Sequence, residues 1–341
     1  MAPLTKRVCL ALLSAIVWST AVVGLPTTAA ETWDELATVP SGTIREHTTV
    51  TLSLSEIVVV GGVVGPNTTD QIQIYNIPNN TWSKGPPMPK ALNHPNAAVV
   101  DGKLYVLGGF ADAQDVPWRA ISFAAVWDPK HGNTWIPLPT LPAAEAKGAS
   151  AVGTYNGTIY IAGGKAGSAQ KSMTGVAAFN TATLQWVTLP EAARAIPGPR
   201  DHVGGAVIGH KMYVVGGRDT DIGNVYGTTF ELDLENLDKG WVTKATMNAP
   251  RGGLATAALD GKIYTFGGEG DKSNSKGVFV QVEVYDTGAD TWTVLQPMKN
   301  PRHGTAAVAV AGRIYLPGGG TSSSYAGLGG GDTGYFDRFS P

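Results

Sequence analysis

Six Gly-Gly pairs recur along this chain at intervals of about fifty residues: Gly61-Gly62, Gly108-Gly109, Gly163-Gly164, Gly216-Gly217, Gly267-Gly268 and Gly318-Gly319. Trp82, Trp135, Trp186, Trp241 and Trp292 follow the first five pairs, and Trp33 stands alone ahead of them all. A unit of that length with four strand-like runs cannot bury its apolar faces by itself and has to stack on its neighbours. The period predicts an all-β fold, a six-bladed β-propeller with four antiparallel strands per blade. Trp33 predicts how the ring closes. The N-terminal strand around it is expected to pair with the C-terminal strands and so remove two exposed edges.

The chain ahead of the repeats has a different character. Lys6 and Arg7 precede an apolar run over residues 8–23, followed by the small-residue triplet Thr28-Ala29-Ala30. That is the pattern of a cleaved secretory signal. Residues 1–30 are expected to be a signal peptide, and residues 31–341 a single secreted propeller. No later stretch is long and apolar enough to span a bilayer. The only cysteine, Cys9, lies in the leader, so the expected mature chain has no disulfide and relies on its core. Of 25 basic and 27 acidic residues, Lys6 and Arg7 belong to the leader; 23 against 27 remain, a net of −4. This balance argues against nucleic-acid and membrane partners. Asn67, Asn79 and Asn156 each head an Asn-x-Thr sequon, which behind a leader predicts glycosylation. A monomer is expected.

The blades are expected at about residues 45–89, 92–142, 147–190, 200–247 and 251–298, with the sixth at 302–340 plus 32–39. The fourth shows the unit most clearly. Apolar strands over 203–208 and 212–215 flank a Gly209-His210 turn, a third covers 227–234, and the outer strand starts at Trp241. Asp101-Gly102, Asn156-Gly157 and Asp260-Gly261 take the same turn position, and these dipeptides accept the positive φ of tight hairpins. Second strands such as Ile57-Val58-Val59-Val60 and Leu104-Tyr105-Val106-Leu107 are almost wholly apolar, as suits sheets buried on both faces.

The unit resembles the kelch motif: a Pro-Arg-type lead-in, a Tyr-bearing strand running into Gly-Gly, and an aromatic seven residues before a Trp. Here that last spacing is Tyr75 to Trp82, Phe179 to Trp186 and Tyr285 to Trp292. The resemblance covers residues 32–340 and implies a secreted, fungal-type, single-domain kelch propeller. It implies little about activity, because propellers host unrelated functions. The copper radical oxidases of this architecture need a tyrosine cross-linked to cysteine, which a mature chain without cysteine cannot form. The Glu-x3-Asp-x3-His iron motif of plant nitrile-specifier proteins is absent, with Glu231-x3-Glu235 its nearest approach. The kelch sialic-acid mutarotases use acids and arginines in the funnel; Glu269 and Arg218 are of the right types, but the long insertion of that group is missing.

In such a fold the lead-ins to each blade and the loops after each Gly pair share one rim of the central channel. Counting back fourteen residues from the first Gly of each pair gives a column of His47, His94, Ala149, His202, Gly253 and Gly304. One position earlier stand Glu46, Asn93, Gly148, Asp201, Gly252 and His303. Two positions earlier stand Arg45, Leu92, Lys147, Arg200, Arg251 and Arg302, a column expected to make structural pairs. After the pairs come Val63, Phe110, Lys165, Arg218, Glu269 and Gly320. Four of the six histidines thus face one rim, while His131 and His210 fall in turns on the other.

Histidine titrates near neutrality and can move protons, so His47, His94 and His202 are the candidate catalytic groups, with Glu269 as a second acid or base. Arg218 and Lys165 suit an anionic group on a ligand. Trp118 and Arg119 lie in the rim loop of the second blade, where the indole could stack on a ring. His303 and Tyr325, the latter in a Gly/Ser-rich stretch over 318–334 that reads as a mobile cover, complete the expected ligand-binding set. No close His spacing supports a metal, and neither metal nor cofactor is expected. The expected function is binding of a polar or anionic small organic molecule in the funnel mouth, extending to cofactor-independent isomerisation or cyclisation in a natural-product pathway; the alternative is a carbohydrate-binding or protein-interaction propeller without catalysis.

Overall fold

The computed structural model describes Met1 and residues 31–341 apart from 113, 115, 116, 168–170 and 324–329. The chain divides into Met1–Ala30 and Glu31–Pro341. The expected signal peptide lies outside the described residues, so only the second unit is treated below. Six four-stranded antiparallel sheets make up the propeller. In the fourth blade Gly204–Ile208, Lys211–Val215, Thr229–Asp233 and Trp241–Lys244 pair in sequence order. The sixth blade takes Val308–Val310, Arg313–Pro317 and Phe336–Ser340, and its outermost strand is Thr32–Glu35, with Trp33 opposite Phe339.

The apolar second strands form the walls between blades: Ile57, Val58, Val59 and Val60 are all fully buried. On the first five blades the outer-strand Trp then ties its blade to the one before. The indole N–H of Trp82 donates to Ala37 O, that of Trp186 to Pro139 O and that of Trp292 to Ala245 O, at 2.7, 2.9 and 3.0 Å. Trp135 and Trp241 do the same with Pro86 O and Ala193 O. The Gly pairs serve the opposite junction, toward the following blade. A Cβ on Gly267 would stand 2.1 Å from Arg302 O, and the N–H of Gly268 donates to that same carbonyl at 2.9 Å. Only glycine fits there, at φ +54° and with a neighbour's backbone in contact.

At the inner rim the blades are joined by a closed circle of backbone hydrogen bonds. His94 N donates to Glu46 O, Ala149 N to His94 O, His202 N to Ala149 O, Gly253 N to His202 O, Gly304 N to Gly253 O and Glu46 N to Gly304 O. All six donors have φ between +46° and +60°. The first member of this circle is Glu46, not His47 as counting back from Gly61 places it. The other first hairpins have two-residue turns and regular ladders, but in blade I Thr51 pairs with Ile57 and Ser53 with Glu56, leaving Leu52 as one extra bulged residue. The blade I lead-in is thereby displaced by one. Ile44, not Arg45, accepts from the Gly pair of the preceding, sixth blade, through Gly319 N. Arg45 instead bridges to Val63 and pairs with Asp332.

Among the described residues three extra hairpins rise from the same rim: Val63–Val64 with Asn67–Thr68, Phe110–Asp112 with Trp118–Ala120, and Gly320–Ser322 with Gly330–Asp332. The last lies in the Gly/Ser-rich stretch expected to be a mobile cover. Its ends are paired, because backbone groups pair whatever their side chains. Tyr325 lies outside the described residues.

Candidate functional site

The circle sets Glu46, His94 and His202 side by side at the channel mouth, and their neighbours complete a buried polar ring. His94 Nε2 is 3.0 Å from Glu46 Oε2 and 2.9 Å from His202 Nε2. The two imidazoles meet across Ala149, whose methyl group leaves them room. Asp201 Oδ1 accepts from His202 Nδ1 at 2.6 Å and from Arg218 Nε at 3.0 Å. Arg218 Nη1 donates to Glu269 Oε1 at 2.6 Å, and Glu269 Oε2 lies 3.5 Å from His303 Nδ1. His303 Nδ1 in turn is 3.8 Å from Glu46 Oε1, which closes the ring of side chains.

Proton positions follow from the outer partners. The Thr68 hydroxyl donates to Asp112, so it accepts from Asn93 Nδ2, at 2.7 Å. That turns Asn93 Oδ1 toward His94 Nδ1, 2.6 Å away, and assigns the proton to His94 Nδ1. Asp201 assigns the His202 proton to Nδ1 in the same way. Arg218 Nη2 is 3.0 Å from Nε2 and 3.2 Å from Nδ1 of His202. A point nearly equidistant from both ring nitrogens lies over the ring face, because an in-plane approach would collide with Cε1. His94 Nε2 therefore faces the Glu46 carboxylate on one side and the bare Nε2 of His202 on the other, and one proton shared along that line relieves both contacts.

The ionisation of each group follows from its contacts inside the network. Burial alone would raise the Glu46 carboxyl, but the charge and hydrogen bond of His94, with His303 and His202, hold it well below its usual range. Burial also works against Glu269 and Asp201, and both are nevertheless depressed: Glu269 by Arg218, His303 and His202, Asp201 by the hydrogen bond and charge of His202 and by Arg218. Burial and the Arg218 charge push His202 down. Against burial, Glu269 and Asp201 hold the Arg218 guanidinium above its ordinary value.

Two cavities meet at this ring. One of about 480 Å³ is the central channel, lined by the inner strands with small apolar groups such as Ala98, Val152, Ala257 and Ala307. The other, about 670 Å³, opens at the mouth between Phe110, Trp118, Lys165, His202, Arg218 and the segment 220–224. Glu46, His47, His94 and His202 line the channel cavity where it reaches the ring, while Lys165, Arg218 and His202 line the mouth cavity, so His202 is common to both. Lys165 Nζ donates to Thr220 O at 3.1 Å and is pushed down by burial, partly offset by Asp201 at 4.0 Å. Thr220 has φ +67°, costly for a β-branched residue, and is held there by Ser172 and Asp201, which accept from its N–H.

Of the residues expected at the mouth, His94, His202, Arg218, Glu269, Lys165 and Trp118 are brought together. The Trp118 ring lies 5.3 Å from that of His94. His303 joins through the ring and donates Nε2–H to Ser322 O at 3.0 Å. His47 is drawn away by the bulge. Its Nε2 donates to Pro317 O at 2.8 Å, its Nδ1 accepts from Thr49, and burial lowers it to about 4. Arg119 is exposed, bridges to Gly167 and does not line the cavity. The arginine column does make structural pairs, with Arg251 on Glu283 at 2.5 Å and Arg302 on Asp337. Lys147 donates to Gly175 O at 2.7 Å and is lowered by burial to about 8. Glu46 and Asp201 stand in the counted columns as acids but only the geometry makes them central. The segment 220–224 carries no repeat signal, its one mark being the acid-rich Asp219-Thr220-Asp221 turn.

Comparisons with known proteins agree with this architecture. The KLHDC2/KLHL20/DRC7 Kelch-repeats domain matches residues 97–320, and the Kelch motif matches residues 45–89. The chain is 34% identical over 333 residues to Kelch-like protein terF of Aspergillus terreus, which spans 93% of this chain and 71% of that protein. It is 25% identical over 282 residues to Kelch-like protein 26 of Danio rerio and 27% identical over 282 residues to Kelch-like protein 23 of Homo sapiens. Those alignments cover 80% and 82% of this chain but only 44% and 46% of the two relatives.

Proposed function

We propose that this chain, which belongs to the kelch-repeat family, receives a small polar molecule bearing a ring in the cavity at the mouth of its propeller. The observation that carries this reading is the make-up of that cavity: Phe110 and Trp118 offer aromatic faces opposite Lys165, Arg218 and His202. Arg218 is already neutralised by Asp201 and Glu269, so a neutral or weakly acidic group suits the site better than a strong anion. Support for export is the leader-like run of residues 1–30, and the three sequon asparagines are all exposed.

A second reading adds turnover. The shared proton along Glu46, His94 and His202 supplies an acid and a base where the central channel meets the mouth cavity at His202, enough for isomerisation or ring closure without another substrate. The test is a thermal-shift screen of the purified protein with cyclic enones, phenols and monosaccharides, followed by mass spectrometry of any stabilising compound. Stabilisation that disappears in Trp118→Ala supports binding, and an equal-mass product that disappears in His202→Ala supports turnover. No stabilisation by any small molecule would overturn both and favour a protein-interaction platform.

A further inference from the structure

The line of acceptors through Glu46, His94 and His202 has an occupant other than a proton. We propose that Glu46 Oε2, His94 Nε2 and His202 Nε2 form a binding site for one divalent first-row transition-metal ion. These donor atoms all lie within 4.8 Å of one another, the one such group found among the described residues. The separations of 2.9 and 3.0 Å match adjacent positions around an ion with bonds of about 2.1 Å, since neighbouring ligands at right angles lie about 3.0 Å apart. Glu46 and His202 flank His94, all three donors lying within 4.8 Å of one another, so they would form an arc around the ion with His94 in the middle and leave its other positions open; all three residues line the central channel, and His202 also lines the mouth cavity.

The outer partners fit the same assignment. A metal-bound histidine donates its other N–H to an oxygen that fixes the ring, and Asn93 and Asp201 accept from Nδ1 of His94 and His202, each at 2.6 Å. The side chains are 4, 9 and 8% exposed for His94, Glu46 and His202, so the ion would be held away from bulk water. Arg218 is the cation that touches a ligand ring, and Lys165 stands beyond it, 4.0 Å from Asp201. Arg218 lies over the His202 ring face, bound to Asp201 and Glu269, and leaves the Nε2 lone pair open. His47 takes no part in this site, because its Nε2 is turned to Pro317 O. The site does not depend on the proposed ligand of the mouth cavity.

The experiment is equilibrium dialysis of the EDTA-stripped protein against zinc or cobalt(II) chloride near neutral pH, with bound metal measured by plasma mass spectrometry. One equivalent is expected, with about one proton released per ion when calorimetry is run in two buffers. His94→Ala and His202→Ala should each weaken binding by more than about a hundredfold, while His131→Ala combined with His210→Ala, both on exposed turns, should not. Where an alanine variant fails to fold, the cobalt absorption spectrum of Glu46→Gln against wild type decides, and a changed spectrum is expected. Absence of stoichiometric binding, undiminished affinity in the folded alanine variants, loss in the turn variant, or an unchanged cobalt spectrum would each overturn the site.

Discussion

His94 and His202, on the second and fourth blades, meet Nε2 to Nε2 at 2.9 Å because the residue between them on the inner circle is Ala149. The contact depends on the smallness of that side chain. Ala149→Leu should drive the imidazoles apart and lower stability by about 1–3 kcal/mol through overpacking. Ala149→Gly should leave the pair intact and gain roughly 1 kcal/mol, because the position has φ +56°. Chemical denaturation of the two variants, with histidine side-chain NMR, checks both. A stable Ala149→Leu protein with unchanged histidine resonances would refute the dependence.

His47 predicts a pH dependence. Unfolded, its ring binds a proton near 6.5; folded, burial lowers that to about 4. Between those values the unfolded state holds more protons, so stability falls as the pH drops through the window and is unaffected above it. The loss attributable to this residue is on the order of 3 kcal/mol. His202 is depressed too and acts in the same direction. Glu46, Asp201 and Glu269 are also depressed, but their contribution is full above the ordinary carboxylate range and goes only as the pH falls below it. Urea melts at pH 7.5 and about pH 4.5 should therefore differ less for His47→Gln than for wild type, the amide still reaching Pro317 O. An equal difference would rule out His47 as a main cause.

Arg218 balances two buried acids, and breaking a buried pair from one side is worse than never having had it. Arg218→Met should cost about 3–5 kcal/mol by leaving Asp201 and Glu269 uncompensated. Adding Glu269→Gln should recover part of that loss, because one of the stranded charges is gone. Additive losses in the double variant would show that the two side chains are not coupled.

The propeller was legible because backbone geometry demands particular residues at particular places. Gly267 has a neighbour's carbonyl where a Cβ would be, and Trp292 needs its indole to reach Ala245 O, so both recur in every unit that has the same junction. The site was legible up to the point where register could slip. Leu52 bulges from an ordinary alternating stretch, Thr51-Leu52-Ser53, and nothing in those residues marks the extra one, yet it exchanges His47 for Glu46 on the inner circle. Counting along repeats also places Arg218 and Lys165 at the mouth without showing that Asp201, Glu269 and the Thr220 carbonyl already engage them. Engagement is a tertiary property.

Trp33 tests the seam between the two ends of the chain. It packs against Phe339 and Phe266 at ring-centroid distances of 4.9 and 5.9 Å, but unlike the other outer-strand tryptophans its buried indole N–H has no hydrogen-bond partner. Trp33→Phe keeps an aromatic in that stack and removes an unsatisfied donor, so it should be neutral within about 1 kcal/mol. Trp292→Phe deletes a bond and strands Ala245 O, and should cost about 1–2 kcal/mol. Trp33→Ala loses the packing itself and should cost about 3–5 kcal/mol. Denaturation midpoints for the three variants distinguish the terms. If Trp33→Ala unfolded cooperatively at the wild-type midpoint, the N-terminal strand would not be part of the cooperative unit, and its pairing with Phe336–Ser340 would contribute nothing to holding the ring shut.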